Sequence, residues 1–103
     1  MFKKKPLLIV FEGVEGGGKS FQSKKLLKNL KNKGCSSILT REPGGTREAE
    51  TIRKLILNDY FNKSKKEKFD KYTDTLLYLA ARNEHIKNKI KPALYKKKIV
   101  ICD

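Results

Sequence analysis

Gly13, Gly18, Lys19 and Ser20 fit the spacing G-x-x-x-x-G-K-[ST] inside the stretch FEGVEGGGKS, Phe11 to Ser20. That spacing serves the binding of a phosphate chain. Backbone N–H groups can wrap phosphate oxygens only where side chains do not block the approach, and a following helix adds partial positive charge at the same point. Lys19 can reach β- and γ-phosphates, and the Ser20 hydroxyl can ligate Mg²⁺. The binding set is therefore Gly13, Val14, Glu15, Gly16, Gly17, Gly18, Lys19 and Ser20. Asp103 ends the apolar run IVIC, where its carboxylate can lie beside a metal held at the loop.

A second pair is Tyr78 and Arg82. Four residues apart, they share one face of a helix. A ring that stacks on a base and a guanidinium that bonds its edge would suit a pyrimidine. Taken alone, the pair reads by default as a solvated tyrosine and a surface arginine. The basic cluster NKSKKEKFDKY, Asn62 to Tyr72, reads as a solvated loop; Phe61, Phe69 and Tyr72 around it keep a nucleic-acid patch open.

These groups need elements to hold them. Leu7 to Glu12 is a continuous apolar run, the pattern of a strand buried on both faces. Phe21, Leu26, Leu27 and Leu30 recur near helical spacing between Lys19 and Asn32, with Gly34 where a left-handed cap belongs. Ser37 to Thr40 reads as a strand, and Glu42 to Gly45 as a turn. Thr46 can cap a helix carrying Glu48 in its first turn and Ile52, Leu55 and Ile56 as its apolar stripe. Thr73 to Ile90 predicts a long helix with Leu76, Leu79, Ala80, Ile86 and Ile90 on its inner side, until Pro92 ends it or begins a further turn. Ile99 to Cys102 predicts another buried strand. This order implies an α/β fold, a parallel sheet covered by helices, in one domain over residues 1–103.

Composition narrows the classes. The chain has 103 residues with 25 basic and 11 acidic side chains, a formal charge of +14. No apolar stretch approaches the ~20 residues of a membrane span, and the N-terminal run is too short and wrongly flanked for a signal peptide. Cys35 and Cys102 have no metal-ligand spacing and read as thiols of an intracellular protein. His85 is the only histidine, so no histidine-rich metal site is available, and it reads as a surface residue. The guanine-reading pattern N-K-x-D is absent. Two readings stay open at this level: a nucleoside monophosphate kinase, and a basic phosphate-loop module that binds nucleic acid.

Four stretches resemble the thymidylate kinase family: FEGVEGGGKS, TREPGGT (Thr40 to Thr46), LLYLAARNEH (Leu76 to His85) and IVICD. They stand in family order and cover essentially the whole chain. The resemblance implies a P-loop NTPase fold, a three-layer α/β/α arrangement of which these residues form an N-terminal part. It implies transfer of the γ-phosphoryl group of ATP to dTMP, giving dTDP for dTTP synthesis, with Mg²⁺. By resemblance, Glu15 binds the acceptor's 3′-hydroxyl, which gives a purpose to a carboxylate otherwise costly beside phosphates. Arg53 contacts the dTMP phosphate, and Arg41 and Glu42 line the acceptor site. The catalytic set is Lys19, Glu15 and Arg53; the substrate set adds Arg41, Glu42, Tyr78 and Arg82; the metal set is Ser20 and Asp103. Gly16 stands where some members carry a catalytic arginine, which resembles the bacterial branch. That branch takes its stabilising arginine from a lid, expected beyond Asp103. The resemblance further implies a cytoplasmic homodimer at full length, with no membrane or nucleic-acid partner. The 103 residues alone are expected to be inactive, with the sheet left open beyond its last strand.

Overall fold

The computed structural model describes residues 5–13, 18–64 and 66–103. They form two compact units, one of residues 1–41 and 90–103, the other of residues 42–89.

The first unit is built on a parallel sheet of β1 (Leu7–Val10), β2 (Ser37–Thr40) and β3 (Ile99–Cys102). The strand order is β1-β3-β2, so the last strand in the chain is the central one. All four β3 residues are buried, as the apolar run IVIC requires of a strand paired on both sides. Among the described residues the open edges are thus β1 and β2, a correction to the edge expected beyond β3.

β1 also departs from expectation. Only Ile9 and Phe11 pack on the core, whereas Leu8 is 42% and Val10 55% exposed. The run is apolar on both faces, but among the described residues β1 has a strand on one side only. Its regular pairing stops at Val10, although the Phe11 N–H still donates to the Cys102 carbonyl at 2.8 Å.

Helix α1 (Lys19–Asn32) lays Leu26, Leu27 and Leu30 on Cys35, Ile99 and Ile101. Phe21, expected on that stripe, is 67% exposed. The helix ends as the sequence suggests. The Gly34 N–H donates to the Lys31 carbonyl and the Cys35 N–H to that of Leu30, with Gly34 at φ 77°. The short helix α4 (Lys91–Tyr95) packs against β3 and closes through the same two bonds, but its left-handed residue is Lys97, at φ 60°.

The second unit pairs α2 (Arg47–Phe61) with α3 (Lys71–His85). Thr46 caps α2 as expected, its hydroxyl accepting from the Ala49 N–H. α3 starts at Lys71, earlier than Thr73, because the Asp70 carboxylate accepts from the Tyr72 and Thr73 N–H groups. Beyond α3 the chain makes a π-helical turn, Ile86–Ile90, and then α4, with Pro92 near its start. A proline there cannot donate to the preceding turn, which accounts for the widened register.

Of the residues expected on the inner side, Ile90 is buried and Ile86 partly so, but Leu76, Leu79 and Ala80 are exposed. Ala81 and His85 are buried, while Leu76 is 65% and Leu79 53% exposed. Tyr78, Ala81, Arg82 and His85 follow i, i+3, i+4, i+7 spacing and so share one face. Ala81 and His85 are the covered positions of that face, while Tyr78 and Arg82 stand at its exposed border.

Candidate functional site

In the first unit, the loop after β1 and Asp103 after β3 lie at the carboxyl ends of two adjacent parallel strands. Ligands in open α/β sheets bind at that end. Gly18 turns the backbone into α1 at φ 83°, a left-handed conformation that favours glycine. Gly18, the N-cap, makes no side-chain cap bond, and the first amides of a helix have no partner within it. Val14, Glu15, Gly16 and Gly17 lie outside the described residues.

Ser23 ties this site together. It is completely buried on α1, and its hydroxyl lies 3.0 Å from the Ser20 carbonyl and 3.2 Å from Asp103 Oδ2. One hydroxyl proton serves two acceptors, which draws Asp103 to the first turn of α1. The backbone adds a second hold: the Asp103 N–H donates to the Thr40 carbonyl at 3.0 Å. The Ser20 hydroxyl and the Asp103 carboxylate are oxygen donors of the kind Mg²⁺ prefers; Ser23 links the Asp103 carboxylate to the Ser20 main-chain carbonyl, not to its hydroxyl. Among the described residues no cluster of three His, Cys, Asp or Glu side chains could hold a metal. Mg²⁺ sites usually combine one or two carboxylates with substrate phosphate oxygens and water. Ser23 carries no sequence signal beyond being a small polar residue one turn after Ser20.

In the second unit, the predicted turn at Glu42 to Gly45 is a hub. Arg53 Nη1 donates to the Pro43 carbonyl at 3.0 Å, and the Gly45 N–H donates to Glu50 Oε2 at 2.9 Å. Glu42 accepts from Arg82 Nε at 2.8 Å through one oxygen and bonds His85 Nδ1 through the other. Arg53, Glu42 and Arg82 are thus joined through one turn and its bonds. Tyr78 shares the face of Arg82, and its side chain is 42% exposed. Arg41 precedes the turn and is exposed.

His85 is not a surface residue. It is fully buried, and its imidazole is anchored on Glu42. The basic cluster also does more than meet solvent. Lys68 Nζ donates at 2.6 Å to the carbonyls of Asp59 and Asn62, at the C-terminal end of α2, where a cation meets the last carbonyls and the negative end of the helix dipole. Asp59 in turn accepts from the Phe69 N–H.

A family model described as thymidylate kinase matches residues 11–103. The chain is 45% identical over 95 residues to a thymidylate kinase of Pelotomaculum thermopropionicum, a match covering 92% of this chain and 42% of that protein. It is 48% identical over 95 residues to a thymidylate kinase of Caldicellulosiruptor saccharolyticus, covering 92% and 43%. The fold is similar to the crystal structure of thymidylate kinase from Ehrlichia chaffeensis, with a TM-score of 0.82 and 38% identity, over 96% of this chain and 51% of that one. The chain therefore spans less than half the length of these curated relatives.

Proposed function

Because this chain belongs to the thymidylate kinase family, we propose that it supplies the phosphate loop and the acceptor side of an enzyme that transfers the γ-phosphoryl group of ATP to dTMP. The observation that carries this reading is the tie of the Asp103 carboxylate, through the Ser23 hydroxyl, to the first turn of the helix that opens on Lys19 and Ser20.

The loop amides hold the β- and γ-phosphates of ATP, and Lys19 balances charge on the group in flight. Ser20 and Asp103 would hold Mg²⁺, which supplies neutralisation of the phosphate oxygens when bound. On the acceptor side, Arg53 meets the dTMP phosphate. One of its donors already bonds Pro43, which leaves a planar fork held in place for an anion. Tyr78 stacks on the thymine, Arg82 bonds its edge, and Glu15 accepts the 3′-hydroxyl. Arg41 borders the same acceptor site, and Glu42 serves it through Arg82. Holding both reactants in line is most of what phosphoryl transfer asks of a protein.

The partners are small nucleotides, in the cytoplasm. The exposed stripe of Leu76 and Leu79 on α3, with Leu55 on α2 at 49%, suits a second copy of the chain in a homodimer. No described helix is long and apolar enough to cross a membrane. The bonds made by Lys68 favour a structural use of the basic cluster over a nucleic-acid patch. The 103 residues alone are expected not to turn over.

A coupled assay for dTDP and ADP, on the chain carried to the length of its relatives, tests the reading. Transfer to dTMP in preference to other monophosphates is expected. Activity confined to another monophosphate would overturn the substrate assignment, and transfer that survives Lys19→Ala unchanged would overturn the donor site.

A further inference from the structure

Resting on that reading, we propose that His85 is a positioning residue for the acceptor site, acting through Glu42 to fix the guanidinium of Arg82. His85 lies three residues along α3 from Arg82 and on the same face, yet their environments are opposite. The His85 side chain is completely buried, while that of Arg82 is 61% exposed. Glu42, 23% exposed, spans the two. Its two oxygens are divided, one to the buried imidazole and one to the exposed guanidinium.

The division has a mechanical consequence. An ion pair as open to water as Arg82 with Glu42 contributes little to stability, because solvent screens it and two flexible side chains must be ordered. Anchoring the carboxylate on a buried ring removes its freedom beforehand. The ring itself is held on α3, so the carboxylate presents a fixed oxygen to Arg82. The bond to Arg82 uses Nε, and a hydrogen bond at Nε sets the plane of the whole guanidinium. The planar group is then oriented before a base edge arrives. Orientation set in advance lowers the cost of binding.

The arrangement also explains why the only histidine in the chain is buried. An aliphatic side chain would fill the same volume but could not donate to Glu42. Glu42 would then keep its charge and its bond to Arg82 while losing its anchor.

The test uses the chain carried to the length of its relatives, assayed for KM toward dTMP and ATP, kcat and Tm. His85→Leu removes the donor, and His85→Asn returns an N–H near the place of Nδ1. His85→Leu is expected to raise KM for dTMP about tenfold, the scale of one lost hydrogen bond, with KM for ATP unchanged. His85→Asn is expected to recover most of that loss. In an Arg82→Ala background, His85→Leu should add less than about twofold, because a residue that works through Arg82 has nothing left to position. Should His85→Leu fail to fold, Glu42→Gln serves in its place, with the same rise in KM and the same lack of effect in Arg82→Ala. A lower Tm with an unmoved KM for dTMP, or effects that multiply with Arg82→Ala, would overturn the inference while leaving the proposed reaction intact. If the wild type acts on a different monophosphate, the proposed function fails first. The same variants are then scored on that acceptor, by the same criteria.

Discussion

In the unit of residues 1–41 and 90–103, the groups proposed to meet phosphate are neighbours in sequence, and most are main chain. In the unit of residues 42–89, the groups proposed to meet the acceptor are side chains whose contacts join positions 40 and 43 residues apart. A loop built from backbone needs only small residues and one turn, so its composition is its signature. A cluster built from side chains needs two helices and a turn in register, and it leaves no contiguous trace. The first kind of site should therefore fail through single catalytic groups, and the second through the partners that orient them.

The largest expected effect is on the loop side. Lys19→Ala should lower kcat for dTMP by about 10²–10³-fold, the usual cost of removing one preorganised contact to the transition state. KM for dTMP should hardly change in the same steady-state measurement.

Next comes the acceptor side. Arg82→Ala should weaken dTMP binding by about 1–3 kcal/mol through an unpaired base edge. Tyr78→Ala should cost about 1–3 kcal/mol through lost stacking. Calorimetric titration with dTMP reads both, and equal binding by wild type and variants would place the acceptor site elsewhere.

A smaller effect separates Ser23 from the residues it joins. Ser23→Ala removes the shared hydroxyl and should raise the Mg²⁺ needed for half-maximal rate about fivefold, the scale of one modest hydrogen bond. An unchanged Mg²⁺ requirement would mean that Asp103 is held by its backbone bond to Thr40 alone.

What the sequence disclosed follows the same division. The buried strand IVIC, the Gly34 cap and the Thr46 cap were all legible because each is a local pattern. The facing of α3 was not. Leu76 and Leu79 look like a core stripe, but burial on that helix follows Ala81 and His85. Periodicity tells which residues share a face and not which face is covered, and an exposed apolar face can equally belong to an assembly. β1 misled for a related reason: an apolar run shows what a strand is fit to pair with, not how many neighbours it has among these residues. His85 gave no signal because its partner, Glu42, is distant in the chain and lies in a turn. Ser23 gave none because a buried serine in a helix looks like any other until its acceptors are known.

The smallest expected effect is on stability alone. Lys97 holds a left-handed conformation at the end of α4, where α1 uses Gly34 for the same pair of bonds. Lys97→Gly should therefore stabilise the fold by about 1 kcal/mol. Urea unfolding reads this, and a loss of stability would mean that the Lys97 side chain contributes more than its backbone conformation costs.

The most direct measurement compares the two regions in one experiment. Calorimetric titrations of dTMP and of an unreactive ATP analogue are run on the chain at the length of its relatives, as wild type, Lys19→Ala and Arg82→Ala. The expected result is a crossed pattern. Lys19→Ala weakens the ATP analogue and spares dTMP, and Arg82→Ala weakens dTMP about tenfold or more and spares the analogue. Losses of both ligands in both variants, or a wild type that binds the analogue but not dTMP, would contradict the division of the chain into a phosphate loop and an acceptor site.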